Sequence, residues 1–193
     1  MESFENTAID IAAEAASIAH RGQFRKDGKT PYIVHPKRVA MCVANFGGDH
    51  IGIIAAWMHD VMEDCEEGEA IVHDTLQKTD LPQEERDEIF AIVSALTKND
   101  AIKGKSKKLA DTLKRINRAP CQAILIKLCD RMDNLVDARD QEQEFLSKYL
   151  PRTDQLIDAL SDGAMRHGYT KALERLKELR ADYSVKNHRE NGH

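Results

Sequence analysis

Apolar residues recur at intervals of three and four along almost the whole chain. Over residues 4–20, Ile9, Ala12, Ala16 and Ala19 share one face, and Ile11, Ala15 and Ile18 widen it. That is the period of a helix with one buried side. The same reading predicts helices at 36–46, 51–64, 69–79, 80–96, 109–117, 121–137, 141–149, 151–161 and 168–183. Pro36 and Pro151 suit first helical turns, and Gly47-Gly48 closes the second helix. No segment of note alternates with a strand period, no heptad run reaches coiled-coil length, and no internal repeat is present.

Two of these helices break the ordinary amphipathic pattern. The stretch 51–64 opens as an apolar run, Ile51-Gly-Ile-Ile-Ala-Ala-Trp-Met, and closes on His59, Asp60, Glu63 and Asp64. Read as one helix, it stacks His59 on Glu63, Asp60 on Glu63 and Asp60 on Asp64. The stretch 121–137 repeats the design: Ala123-Ile-Leu-Ile leads into Lys127, Asp130, Arg131 and Asn134. A buried, uncompensated carboxylate costs on the order of several kcal/mol, so such stripes need a cation, a ligand or water. A metal would supply the charge, and an adjacent His-Asp pair offers it one nitrogen and one oxygen. For a His-Asp dipeptide alone, a solvated acidic helix end is the more economical reading. Four such residues behind so apolar a run weigh against it, and partners elsewhere decide.

Candidate partners lie in the loop between the first two helices. Arg21 to Pro36 carries Arg25, Lys26, Tyr32 and His35, with glycines and Pro31 marking it as a loop. His35 then sits at a helix start on backbone stiffened by Pro36. The segment 97–108 is polar and basic, with Lys98, Lys103, Lys105, Lys107 and Lys108, and reads as a mobile loop. Taken singly, each of these is more economically a charged surface segment.

Composition narrows the classes. The chain has 193 residues, enough for one domain, expected at 1–183, with a flexible polar tail at 184–193. Aromatic residues are 5% of the chain, and Ala, Leu, Ile and Lys/Glu-type residues favour an all-α fold. A formal charge of −5 argues against a nucleic-acid partner, though local basic clusters can still bind a small anion. Cys42, Cys65, Cys121 and Cys129 form no C-x-x-C and read as free thiols, which suggests a reducing, cytoplasmic setting. No secretory leader and no membrane-length apolar run is read.

The order of His35, His59-Asp60 and Asp130 resembles the HD phosphohydrolase superfamily. The resemblance narrows over residues 4–183. Ala19-His-Arg-Gly-Gln-Phe-Arg-Lys-Asp-Gly-Lys-Thr-Pro-Tyr-Ile-Val-His-Pro36, His59-Asp-Val-Met-Glu-Asp64, Val93-Ser-Ala-Leu-Thr-Lys98 and Ile126-Lys-Leu-Cys-Asp-Arg-Met-Asp-Asn-Leu135 are similar to the successive motifs of RelA/SpoT-type hydrolase domains, most closely the stand-alone small alarmone hydrolases. The resemblance implies a compact multi-helix HD-domain phosphohydrolase fold. It implies one Mn2+ per chain held by His35, His59, Asp60 and Asp130, with Glu63 and Asp64 as the acid/base pair. Arg25, Lys26 and Asn134 would bind substrate, with Asp137 and Lys127 as weaker candidates. The implied activity is removal of the 3′-pyrophosphate of ppGpp and pppGpp, a small-molecule guanosine nucleotide, by a monomer or homodimer. Alternatives are related HD enzymes acting on NADPH, adenosine alarmones or 5′-monophosphates, an inactive alarmone-binding module, or a helical scaffold. Two positions depart from the family: Cys129 replaces a small residue, and Asp133 stands where His or Tyr is more usual. Because Asp133 adjoins Asn134, the second departure is expected to bear on nucleotide preference and not on the metal.

Overall fold

A computed structural model describes residues 4–190. Among them the fold is all-α: α1 (Phe4–Ala19), α2 (Val34–Asn45), α3 (His50–Met58), α4 (Val61–Asp64), α5 (Gly68–Gln77), α6 (Gln83–Leu96), α7 (Lys105–Ile116), α8 (Gln122–Asp137), α9 (Gln143–Arg166) and α10 (Thr170–Glu190). A 3₁₀ turn, Ala138–Asp140, follows α8. The extended pairing among the described residues is a single bridge, Phe24 to Pro31, inside the loop before α2. No helix among them is long and apolar enough to cross a membrane.

The apolar runs of α3 and α8 form the centre. Ile54, Ala55, Ala56 and Met58 on α3 and Leu125, Ile126 and Leu128 on α8 are fully enclosed. α3 packs on α1, α2, α6 and α8, while α8 packs on α2, α9 and α10 as well. Their approach is close because Gly52 has no side chain: a Cβ there would lie 1.9 Å from Gln122 Oε1. Asp49 caps α3 by accepting from the Gly52 N–H at 3.2 Å and from Gln122 Nε2 at 2.5 Å. The first turn of α3 is thus tied to the first turn of α8, and their polar ends meet at the far side.

Several boundaries differ from those read in the sequence, for local reasons. The predicted helix 51–64 is two helices. The His59 ring donates from Nδ1 to the Ala56 carbonyl at 2.6 Å, the acceptor an unbroken helix would offer to the Asp60 N–H. α3 stops at Met58, and Val61 starts α4. The stretches 141–149 and 151–161 are instead one helix, α9, with Pro151 inside it. Proline removes an N–H and crowds the preceding turn. Here Arg152 Nε donates to the Lys148 carbonyl at 2.8 Å, giving that turn another donor. α7 starts at Lys105, so Lys105, Lys107 and Lys108 belong to its first turn and not to a loop. α2 starts at Val34, which puts His35 within its first turn. α10 runs on to Glu190, past the expected end at Tyr183; residues 191–193 of the expected tail lie outside the described residues.

A tight elbow fixes α4. Glu67 adopts φ 54°, ψ 27°, in the left-handed region, and Gly68 then starts α5 directly against α4. A Cβ on Gly68 would meet the Val61 carbonyl oxygen at 2.2 Å and Met62 Cα at 2.7 Å, both backbone atoms. We expect Gly68→Ala to lower stability by about 1–3 kcal/mol, the scale of overpacking, in denaturant unfolding followed by circular dichroism. An unchanged midpoint would contradict this contact.

Candidate active site

The two polar helix ends and the start of α2 converge. His35 and His59 are almost fully buried, with rings 5.3 Å apart. His59 Nδ1 is engaged by a carbonyl, which only accepts, so Nδ1 carries the hydrogen and Nε2 presents a lone pair. That Nε2 is buried and has no hydrogen-bond partner; it lies 3.3 Å from Asp60 Oδ1. His35 Nδ1 lies 2.6 Å from Asp133 Oδ2, and its Nε2 is 3.4 Å from both Asp60 Oδ2 and Asp130 Oδ1. His35, His59 and Asp130 each offer an atom within 4.8 Å of the others, and Asp60 touches both imidazoles. Nitrogen lone pairs facing carboxylate oxygens repel unless a cation stands between them. Two imidazoles and carboxylates around one point suit a divalent metal, so the residues present fit such an ion.

The electrostatics carry the same message. Burial alone would raise the pKa of Asp60 and Asp130, but the two imidazoles, and for Asp130 the Lys127 ammonium, outweigh it and hold both carboxyls below their usual range. Burial likewise opposes charge on His35, yet hydrogen bonding to Asp130 and Asp133 and the nearby Asp60 bring the ring up to about 9. Without a metal, a proton serves as the cation. Lys127 Nζ pairs with Asp130 Oδ2 at 2.7 Å.

Glu63 and Asp64 lie on α4, just beyond this cluster. Glu63 sits on α4, three residues after Asp60. It turns toward the end of α6, accepting from the Lys98 backbone N–H at 3.0 Å and from Lys98 Nζ. Arg115 of α7 fixes that end by donating to the carbonyls of Ser94, Ala95 and Thr97 at 2.6–2.9 Å, a cation on a helix C-terminus. Tyr32 Oη lies 2.8 Å from both Asp60 Oδ2 and Asp64 Oδ2. Burial and those two carboxylates push the phenol pKa well up. A phenol has one hydrogen, so both contacts are hydrogen bonds only when one carboxyl carries a proton of its own. His20 stacks on the Tyr32 ring at 4.8 Å and supports it.

Tyr32, His35, His59, Asp60, Glu63, Asp64, Lys98 and Asp130 line a cavity of about 900 Å³. Its walls are unusually cationic, with Arg25, Lys26, Lys98, Lys105, Lys108 and Arg152. Burial, and then repulsion from Arg25, Lys105 and Arg152, lowers the Lys26 pKa, and Lys26 Nζ rests over the Phe145 ring at 4.4 Å. Such crowding of like charge suits an anionic ligand. Arg25 is already engaged: it donates to Asn134 Oδ1 at 2.9 Å and pairs with Asp137 Oδ2 at 2.8 Å. Asn134 in turn donates to Asp130.

The sequence-predicted residues His35, His59, Asp60, Asp130, Glu63, Asp64, Arg25, Lys26 and Asn134 all face this one cavity. The structure adds Tyr32, Lys98 and Asp133. Asp133 corrects the sequence reading: its carboxylate is on His35, and it lines a separate, smaller cavity with Arg38, Cys42 and Cys129. Its spacing of three from Asp130 on one helix face was the available signal. Tyr32 and Lys98 lie on irregular backbone, where no periodicity marks them.

The model of the HD domain family matches residues 12–156. The chain is 28% identical to the guanosine-3′,5′-bis(diphosphate) 3′-pyrophosphohydrolase of Borreliella burgdorferi, over 95% of this chain and 29% of that protein. It is 32% identical to the protein of the same name from Aquifex aeolicus, over 88% and 25%. The chain therefore spans about a quarter of the length of these curated relatives. Among solved structures, one described as a metazoan ortholog of SpoT that hydrolyzes ppGpp superposes with a TM-score of 0.76 at 22% identity, covering 95% of this chain and 97% of the other.

Divalent metal should bind the folded cluster and not the unfolded chain. Mn2+ at about a hundred times its dissociation constant is expected to stabilise the protein by about 2.7 kcal/mol. A thermal melt should show the rise and a chelator should reverse it; a midpoint indifferent to both counts against an ion site.

Proposed function

The chain belongs to the HD domain family, and from that premise we propose that it hydrolyses the 3′-pyrophosphate of ppGpp and pppGpp in a manganese-dependent reaction, giving GDP or GTP and pyrophosphate. The observation that carries this reading is the convergence of two imidazole Nε2 atoms and two carboxylates beside Glu63 and Asp64, at the floor of a cation-lined cavity. The activity for which the Borreliella and Aquifex relatives are named supports the choice of substrate.

His35, His59, Asp60 and Asp130 would hold the ion. A bound divalent ion lowers the pKa of water and polarises a phosphoryl oxygen. The chain's own groups do the rest. Arg25 and Lys26 hold the phosphates, one by a planar fork and the other as a point charge. Asn134 hydrogen-bonds the ribose. The oxygen of water bonds to the phosphorus next to the ribose 3′ oxygen, and the bond between that phosphorus and the 3′ oxygen breaks. Of Glu63 and Asp64, one takes the proton from the attacking water and the other returns one to the 3′ oxygen. Lys98 steadies Glu63 and Tyr32 steadies Asp64 in these positions.

Purified protein with Mn2+ should release pyrophosphate from ppGpp. Glu63→Ala should lower kcat by at least ~10²-fold, the low end for a lost acid/base group, and Asp60→Ala should abolish Mn2+-dependent turnover by removing a metal ligand. Arg25→Ala should raise KM by about tenfold or more, the worth of a charged hydrogen bond, with a smaller effect on kcat. Manganese-loaded protein that leaves ppGpp intact refutes the proposal, and the same assay with NADPH, adenosine alarmones and 5′-monophosphates then finds the substrate.

A further inference from the structure

One buried carboxylate at the centre has no part in the function proposed above. Asp133 has a side chain only 10% exposed, and its Oδ2 sits 2.6 Å from His35 Nδ1. Asp130, three residues earlier on the same face of α8, has Oδ1 3.4 Å from the other nitrogen of that ring. α8 therefore brackets the His35 imidazole between two carboxylates. Asp133 is itself held: Arg38 lies 3.7 Å from Oδ1 and Arg25 lies 4.0 Å from Oδ2.

The two histidines are oriented by different means. His59 is held by its own helix, through the Ala56 carbonyl three residues back. His35 has no such local acceptor, because its Nδ1 partner comes from a residue 98 positions later. A carboxylate acceptor on one imidazole nitrogen fixes the tautomer, sets the plane of the ring and makes the other nitrogen a better donor to a metal.

We propose that Asp133 is a positioning residue of the metal site, holding His35 so that its Nε2 lone pair faces the ion, with Arg38 in turn holding Asp133. The inference rests on the metal-site reading given above. Asp133→Ala removes both the acceptor and its charge. Asp133→Asn keeps an acceptor oxygen and loses the charge, so it retains part of the effect.

The test is Mn2+ titration of the full chain by calorimetry, without nucleotide, with folding followed by circular dichroism. D133A should bind Mn2+ about 10–100-fold more weakly and D133N about three- to tenfold more weakly than the parent. The kcat at saturating Mn2+ should stay within a few-fold of the parent in both, while half-saturation moves to higher Mn2+. A merely structural role would lower the melting point without moving metal affinity. Parental affinity in folded D133A, or in D133N where D133A does not fold, overturns the proposal. So does a loss in D133A that D133N does not relieve. Weakened Mn2+ uptake in both variants with no ppGpp turnover by the parent upholds this role and sinks the functional reading. Turnover with equal affinity does the reverse.

Discussion

Asp60 and Asp130 are carboxylates with little of their surface open to water, on either side of two imidazoles. Everything around them follows from keeping that charge tolerable. Desolvating one carboxylate costs several kcal/mol even after relaxation. The chain meets the cost with His35, His59 and Lys127, and His59 Nε2 is among the buried nitrogens without a hydrogen-bond partner. A fold that minimised its own energy would not keep such a group. Its retention marks a place made for something else to bind.

The scaffold delivers these groups by an economical route. Asp49, Gly52 and Gln122 pin the first turns of α3 and α8 together, so the two helices meet at a fixed place, and the end of α3 and the middle of α8 bring His59 and Asp130 to one point. The break after Met58 lets Asp60 face the imidazoles while Glu63 reaches Lys98.

Much of this was legible in the chain. The buried stripes of α1, α6 and α8 and the paired apolar-then-polar runs gave the all-helical architecture, and the order of His35, His59, Asp60 and Asp130 gave the cluster. What escaped was set by contacts that periodicity does not encode. The break at His59 depends on one ring finding one carbonyl. α9 continues through Pro151, with Arg152 Nε adding a side-chain donor to the Lys148 carbonyl in the preceding turn. The early start of α7 places three lysines at the positive end of a helix, which propensity alone disfavours and which suits a cavity built to receive anions. Adjacency to Asn134 in sequence points Asp133 to the substrate side, but the contact it makes is with His35. On a helix adjacent residues point about 100° apart, and Asp133 points at His35.

The pairing of Arg25 with Asn134 and Asp137 bears on selectivity. An incoming anion does not find a vacant guanidinium; it must displace the acceptors already there. That exchange swaps one set of charged contacts for another of similar strength, so a singly charged compound gains little by it. A ligand carrying several negative groups can also engage Lys26, Lys98 and the lysines of α7, and gains from each. On the function proposed above, the occupied arginine would act as a threshold that favours polyphosphorylated molecules over common monoanions, with its geometry already set by Asn134 and Asp137.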